Sequence, residues 1–187
     1  MILPPNPKRN LFYYLQVVYH LSRNRDRYAD IVWKKLKAYH LAEKFKTGFF
    51  EADKMAETKF NLGDNRIVRF FYSIADNKFK CRSRVLETFD PELGTDLFVL
   101  ATHFNNLMSR GKVIVYPEHQ IVDVEFEIAL ELLILYPQEL YLQTVRHFQL
   151  TENVYWAFLK LTEEGEEPAI IIADVFRKYG KSSSKNK

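Results

Sequence analysis

The sequence predicts an α+β fold: an antiparallel sheet of about five strands covered by helices, preceded by an N-terminal helical pair. Three observations carry that expectation. Apolar residues ahead of residue 48 recur at three- and four-residue spacing, whereas between 59 and 86 they alternate at a period of two. The interruptions within the second region, "GDN" and "ADN", are short and made of residues that accept turn backbone angles, and short connections between successive strands dictate antiparallel pairing. Finally, "RGKVIVYPEHQIVDVEFEIAL", residues 110 to 130, reads as a further hairpin turning at "PEHQ".

The chain opens with "ILPPNPKRN", whose prolines bias their predecessors away from helix, so residues 1–8 are expected to be extended. Residues 9 to 21 place Leu11, Tyr14, Leu15, Val18 and Leu21 at helical spacing. "SRNRD" supplies capping residues before a second helix, from about Arg25 to Lys46. Its stripe is Tyr28, Ile31, Val32, Leu36, Tyr39, Ala42 and Phe45, with Gly48 as the stop. Residues 9–48 are therefore expected to form a helical pair packed on an α+β domain spanning 49–180. "FFEADKMAE" reads as a connection or a short helical turn.

The strand-like runs are "KFNL", "RIVRFFYSIA" and "KFKCRSRVLE". On the third, Phe79, Cys81, Ser83 and Val85 alternate with Lys78, Lys80, Arg82 and Arg84, so one face turns inward and the other is basic. "DPELGTDLFVLATHFNNLMSRG" opens with Asp90 as a cap and Pro91 in the first turn, carries Leu97, Leu100, Ala101, Phe104 and Leu107 as its stripe, and ends at Arg110 and Gly111. In the hairpin that follows, Asp123, Glu125 and Glu127 point one way and Val122, Val124, Phe126 and Ile128 the other. A long helix begins near Pro137, with a stripe through Leu140, Val145, Phe148, Val154, Trp156, Phe158 and Leu161. A last helix starts at Pro168, and residues 181–187, "KSSSKNK", form a disordered tail.

A chain of 187 residues is the size of one domain. Its 47% hydrophobic and 15% aromatic content, with 6 Gly and 7 Pro, gives enough bulk for a core and excludes a collagenous or low-complexity chain. The single Cys81 excludes an intramolecular disulfide framework and, on the inward side of its strand, reads as a structural thiol. "LFYYLQVVYHLS" after Lys8 and Arg9 faintly resembles a signal sequence, but Gln16 and His20 interrupt it and no small-residue cleavage site follows. No stretch approaches the roughly 20 apolar residues that span a bilayer. A cytoplasmic protein without membrane partners is expected. The net charge of +3 is unevenly spread: residues 1–50 hold ten Lys or Arg against three Asp or Glu, and residues 51–180 hold fourteen against twenty-one. That asymmetry fits a basic arm for nucleic acid or two mutually attracting faces of one domain.

From about 57 to 168, the order of three strands, helix, two strands and helix resembles the YbjN-like proteins of bacteria. These share the fold of the type III secretion chaperones. Asn105 and Asn106 at a helix end, Val113 to Tyr116, Asp123 to Phe126, Pro137, and Gly165 to Pro168 occupy the matching places. The resemblance covers about three fifths of the chain and leaves the basic helical pair without a counterpart. It implies a small protein-binding module, often dimeric, with no known chemistry of its own.

No catalytic constellation is recognisable. "NLGDNR" and "SRGK" lack the glycines of a phosphate loop, so no cofactor is expected. His20, His40, His103, His119 and His147 show no metal-ligand spacing, and the helical His103 and His147 read as satisfied or half-exposed residues. An enzyme would require His103, Asp123 and Glu125 to converge in one pocket. The basic residues Lys80, Arg82 and Arg84 and the acidic Asp123, Glu125 and Glu127 share a two-residue period. On the uncovered face of one sheet, adjacent strands would pair them as opposite-charge ladders, which alone explains the charges without a ligand, whereas on different faces they would not meet. These six, with Trp33 and Phe49 from an N-terminal segment whose aromatics (Phe12, Tyr13, Tyr19) exceed one helical stripe, are the candidate interaction surface. The expected function is a non-catalytic protein-binding module, chaperone-like or regulatory, acting on a protein partner or as a homodimer. The alternative is a nucleic-acid-binding accessory protein using the basic helices of residues 8 to 46, with Phe71 beside the basic ladder as a stacking platform.

Overall fold

The computed structural model describes Leu15, Tyr19 and residues 26–63, 66–108, 110–136 and 138–183. The expected extended N-terminus, most of the first expected helix with Phe12 and Tyr13, and Pro137 lie outside the described residues. The fold is α+β, as the change of period predicts. The elements run α1 (Asp26–Ala42), β1 (Thr47–Phe50), β2 (Met55–Asn61), β3 (Ile67–Ala75), β4 (Lys78–Leu86), a 3-10 turn (Pro91–Leu93), α2 (Gly94–Leu107), β5 (Lys112–Tyr116), β6 (Ile121–Ala129), α3 (Leu130–Leu135), α4 (Gln138–Glu164) and α5 (Pro168–Ser183).

The six strands form one sheet in the order β1-β2-β3-β4-β6-β5, antiparallel throughout. The sixth strand, β1, takes up part of a stretch expected to be helix stop and connection. The cause lies at Lys44, which adopts φ 58° and closes α1 with a hydrogen bond from the Phe45 N–H to the His40 carbonyl at 2.9 Å. Gly48 is thereby left inside a strand. β2 begins at Met55, earlier than the expected "KFNL", because its inward residues ahead of Phe60 are the small Ala56 and Thr58.

Turn chemistry fixes the register. Asp76 and Asn77 both take positive φ between β3 and β4, which is the left-handed pair a two-residue hairpin needs. Gln120 does the same at the end of the β5–β6 turn. Gly111 has φ +81°, and a Cβ there would stand 3.0 Å from the Glu125 carbonyl oxygen, so the start of β5 requires glycine. α2 itself ends at Leu107, ahead of the expected Arg110–Gly111 stop. Asp90 caps the 3-10 turn by accepting from the Glu92 N–H at 3.0 Å.

The described helices lie on one face of the sheet. The core joins Val32 and Leu36 of α1, Phe70 and Tyr72 of β3, Phe79 of β4, Val122 and Val124 of β6, Leu97 and Leu100 of α2, Leu133 of α3, Val154 and Phe158 of α4 and Ile171 of α5. Burying each large side chain contributes on the order of 1.5–3 kcal/mol. The edge strand β5 is protected: the Asn105 side-chain amide donates to the Val113 carbonyl at 2.9 Å and its oxygen accepts the Val113 N–H at 2.7 Å. The asparagine thereby stands in for a neighbouring strand. α5 runs through Ser183, past the boundary expected for the tail at 181, and residues 184–187 lie outside the described residues. No described helix is long and apolar enough to cross a membrane.

Candidate functional site: the open face of the sheet

On the face opposite the helices, β4 and β6 bring the two charged ladders together. Lys80 stands opposite Glu127, Arg82 opposite Glu125 and Arg84 opposite Asp123. This is the opposite-charge pairing that the shared period predicts. Arg84 keeps to the residue opposite it, while Arg82, Lys78 and Lys80 reach to others. Arg84 meets Asp123 at 3.0 Å and Arg82 meets the same carboxylate at 3.7 Å. Lys78 bonds Glu127, and Lys80 turns back to Asp76 at 2.9 Å. Glu125 accepts from the Tyr116 hydroxyl at 3.2 Å and faces Lys112 at 3.5 Å.

These contacts set the electrostatics. The hydrogen bond to Asp123 raises the Arg84 guanidinium above its ordinary value, and that to Asp76 does the same for Lys80. Lys78 holds Glu127 below the usual carboxylate range. Asp123 is fully buried beneath these neighbours, whereas Glu127 remains exposed.

Beside the ladders, β1 to β3 carry an apolar strip. Phe50 stands opposite Met55 on the adjacent strand, and both are exposed, as is Ile67 farther along. Phe71 lies between two guanidinium groups, with Arg82 at 5.0 Å and Arg69 at 6.0 Å from its ring centroid. Arg69 is itself held by Glu87 at 2.8 and 2.5 Å. Together the strip and the ladders shape a shallow concavity of about 920 Å³, floored by Met55, Phe71, Ala75 and Ala129 and rimmed by Lys112 and Leu132.

Two expected surface residues belong elsewhere. Trp33 is only 4% exposed and packs edge-to-face on the half-buried Phe49 at 5.7 Å, on the helix side of the sheet. The aromatic excess of the N-terminal segment, where described, therefore goes largely into the core: Trp33, Phe45, Phe49 and His40 form one ring cluster with Tyr39 and Tyr72. Only the Trp33 indole edge stays polar, donating to Glu51 at 2.7 Å. Tyr19 is exposed.

His103, Asp123 and Glu125 do not converge in one pocket. His103 sits on α2, on the helix side, while Asp123 and Glu125 project from the opposite face. Cys81 is buried, and burial pushes its thiol well above the ordinary value, as expected of an inert structural cysteine. Among the described residues no group of three His, Cys, Asp or Glu is placed to hold a metal. His119 is exposed in the β5–β6 turn and His103 half-exposed.

His147 departs from expectation. It is 3% exposed, and neither ring nitrogen has a hydrogen-bond partner among the described residues. Phe70 and Phe126 flank its ring, and burial pushes the imidazole down to about 3. His40 is also buried; its Nδ1 meets Thr47 Oγ1 at 2.8 Å, its Nε2 has no partner, and burial pushes it down to about 4. A histidine at a helical position carries no sequence signal that separates these settings from a half-exposed one. Comparison of the chain with family models, with curated proteins and with solved structures returns no match.

Proposed function

We propose that this chain is a non-catalytic protein-binding module of the YbjN-like, secretion-chaperone-like kind, which receives a partner protein or a second copy of itself on the open face of the sheet. One observation carries the reading: no described element packs on that face, yet it offers an apolar strip of Phe50, Met55 and Phe71 beside charges that are already compensated. An uncovered apolar strip favours association, and self-paired ladders let it be buried without stranding a net charge. From β2 to β6 the run of three strands, helix and two strands supports the resemblance to that family, while β1 adds a strand ahead of it.

Nucleic-acid recognition on this face is disfavoured by the same pairing. Each of Lys78, Lys80, Arg82 and Arg84 has a carboxylate within ion-pair distance, so a phosphate would have to displace it. The test is capture of partners by the tagged full-length chain from its native lysate, washed at low and at high salt, beside a Met55→Asp/Phe71→Asp double variant. A protein, or untagged copies of the chain, retained through high salt by the parent and lost by the variant supports the module. Nucleic acid retained only at low salt, or equal capture by both chains, overturns it.

A further inference from the structure

We propose that the cleft between α2 and α4 is a binding site for a small carboxylic acid with an apolar body and a hydroxyl group at its buried end. The cleft encloses about 650 Å³, a size ordinary for small-molecule sites, and lies on the side of the sheet away from the open face. Its apolar lining comes from Phe104 and Met108 at the end of α2, Leu150 of α4 and Phe126 of β6.

The polar side chains differ in depth: His147 and Gln143 are buried, Asn153 is half-buried, and Arg110, Arg146 and Gln149 are exposed. His147 lines the cleft as a buried group with both ring nitrogens unpartnered. Buried polar groups are nearly always hydrogen-bonded, and the neighbouring hydroxyls obey the rule: Ser83 and Thr151 bond each other at 2.6 Å, and Thr151 donates to the His147 carbonyl at 2.8 Å. A neutral imidazole presents one donor and one acceptor. A hydroxyl donates or accepts as required, so it suits either ring nitrogen in either tautomer, one nitrogen at a time. A carboxylate at that depth would be desolvated without a compensating cation. Gln143 is also buried there but already donates to Glu139 at 2.6 Å.

At the mouth the chemistry reverses. Arg146 and Arg110 line the cleft, are exposed, and have no ion-pair partner among the described residues. That sets them apart from the arginines of the open face. A guanidinium fork is matched in shape and charge to a carboxylate. Arg110 stands where the cleft adjoins the open-face concavity, so Arg146 is the cleaner position to alter.

Calorimetric titration of the full-length chain with 3-(4-hydroxyphenyl)propionate and with 8-hydroxyoctanoate tests the site. Their hydroxyl-free analogues, 3-phenylpropionate and octanoate, are the controls. Saturable one-to-one binding of a hydroxy acid is expected, tighter than its control by about tenfold. His147→Phe, which fills the same space without polar atoms, should abolish that preference while leaving the control's affinity unchanged. Arg146→Gln should weaken both. Met55→Asp/Phe71→Asp should alter neither, which separates this site from the open face. Absence of saturable binding by both hydroxy acids, or a preference that survives His147→Phe, overturns the proposal and leaves water as the partner of His147.

Discussion

The two sides of the sheet treat polar atoms in opposite ways. On the open side, where water would satisfy any charge, Lys78, Lys80, Arg82, Arg84 and Arg69 are all paired with carboxylates. On the helix side, His147, the Nε2 atom of His40 and the Tyr72 hydroxyl are buried and have no partner among the described residues. Stability alone would favour the reverse, because exposed ion pairs contribute little and unmet buried groups are costly. The contrast teaches where selection for something other than stability is to be sought: in the unmet interior groups first, and in the uncovered apolar strip second.

The largest expected effect is on acid stability. The imidazoles of His147 and His40 are held neutral by burial down to about 3 and about 4, while in the unfolded chain they take up protons near the ordinary 6.5. The unfolded state therefore binds more protons below that value. Stability present above pH 6.5 is lost as the pH falls towards 4. Urea unfolding should show a loss of roughly 3–5 kcal/mol between about pH 7 and about pH 4.5, and His147→Phe should remove about half of it. A pH-independent stability would break the comparison from the interior side.

Next in size is Asp123→Ala. This carboxylate is fully buried between Arg84 and Arg82, and Arg84 is itself 20% exposed, so the change leaves a half-buried guanidinium without its partner. The expected cost is ~2–3 kcal/mol by denaturant unfolding. Gly111→Ala should cost ~1–2 kcal/mol, from the positive φ and the close Glu125 carbonyl. Smallest is Lys78→Gln, which removes the exposed ladder pair to Glu127 and should leave the unfolding midpoint unchanged within error. A large loss there would mean that the ladder holds the sheet together as well as decorating it.

Much of this was legible in the sequence for a definite reason. The charged ladders advertise themselves because a two-residue period on two strands can be matched only in register, and β4 and β6 pair as that match requires. The turn at Asp76–Asn77 and the start of α5 at Pro168 follow from local backbone chemistry. β1 escaped because "TGFF" is four residues long and gains its partner only through Lys44 and the aromatic cluster around Tyr39. The sequence pattern places Trp33 and Phe49 on a surface because helical spacing does not say how wide a face the sheet covers. His147 was illegible for a similar reason: its lack of partners is set by Phe70 and Phe126, which are distant in sequence.

The most direct test of the contrast is nitrogen-detected nuclear magnetic resonance of the histidine side chains, followed from neutral to acid pH. His147 is expected to stay neutral until the chain unfolds, with ring nitrogen shifts that report no internal hydrogen bond. Titration of His147 near 6.5, or shifts showing a bond to another group of the chain, would contradict it.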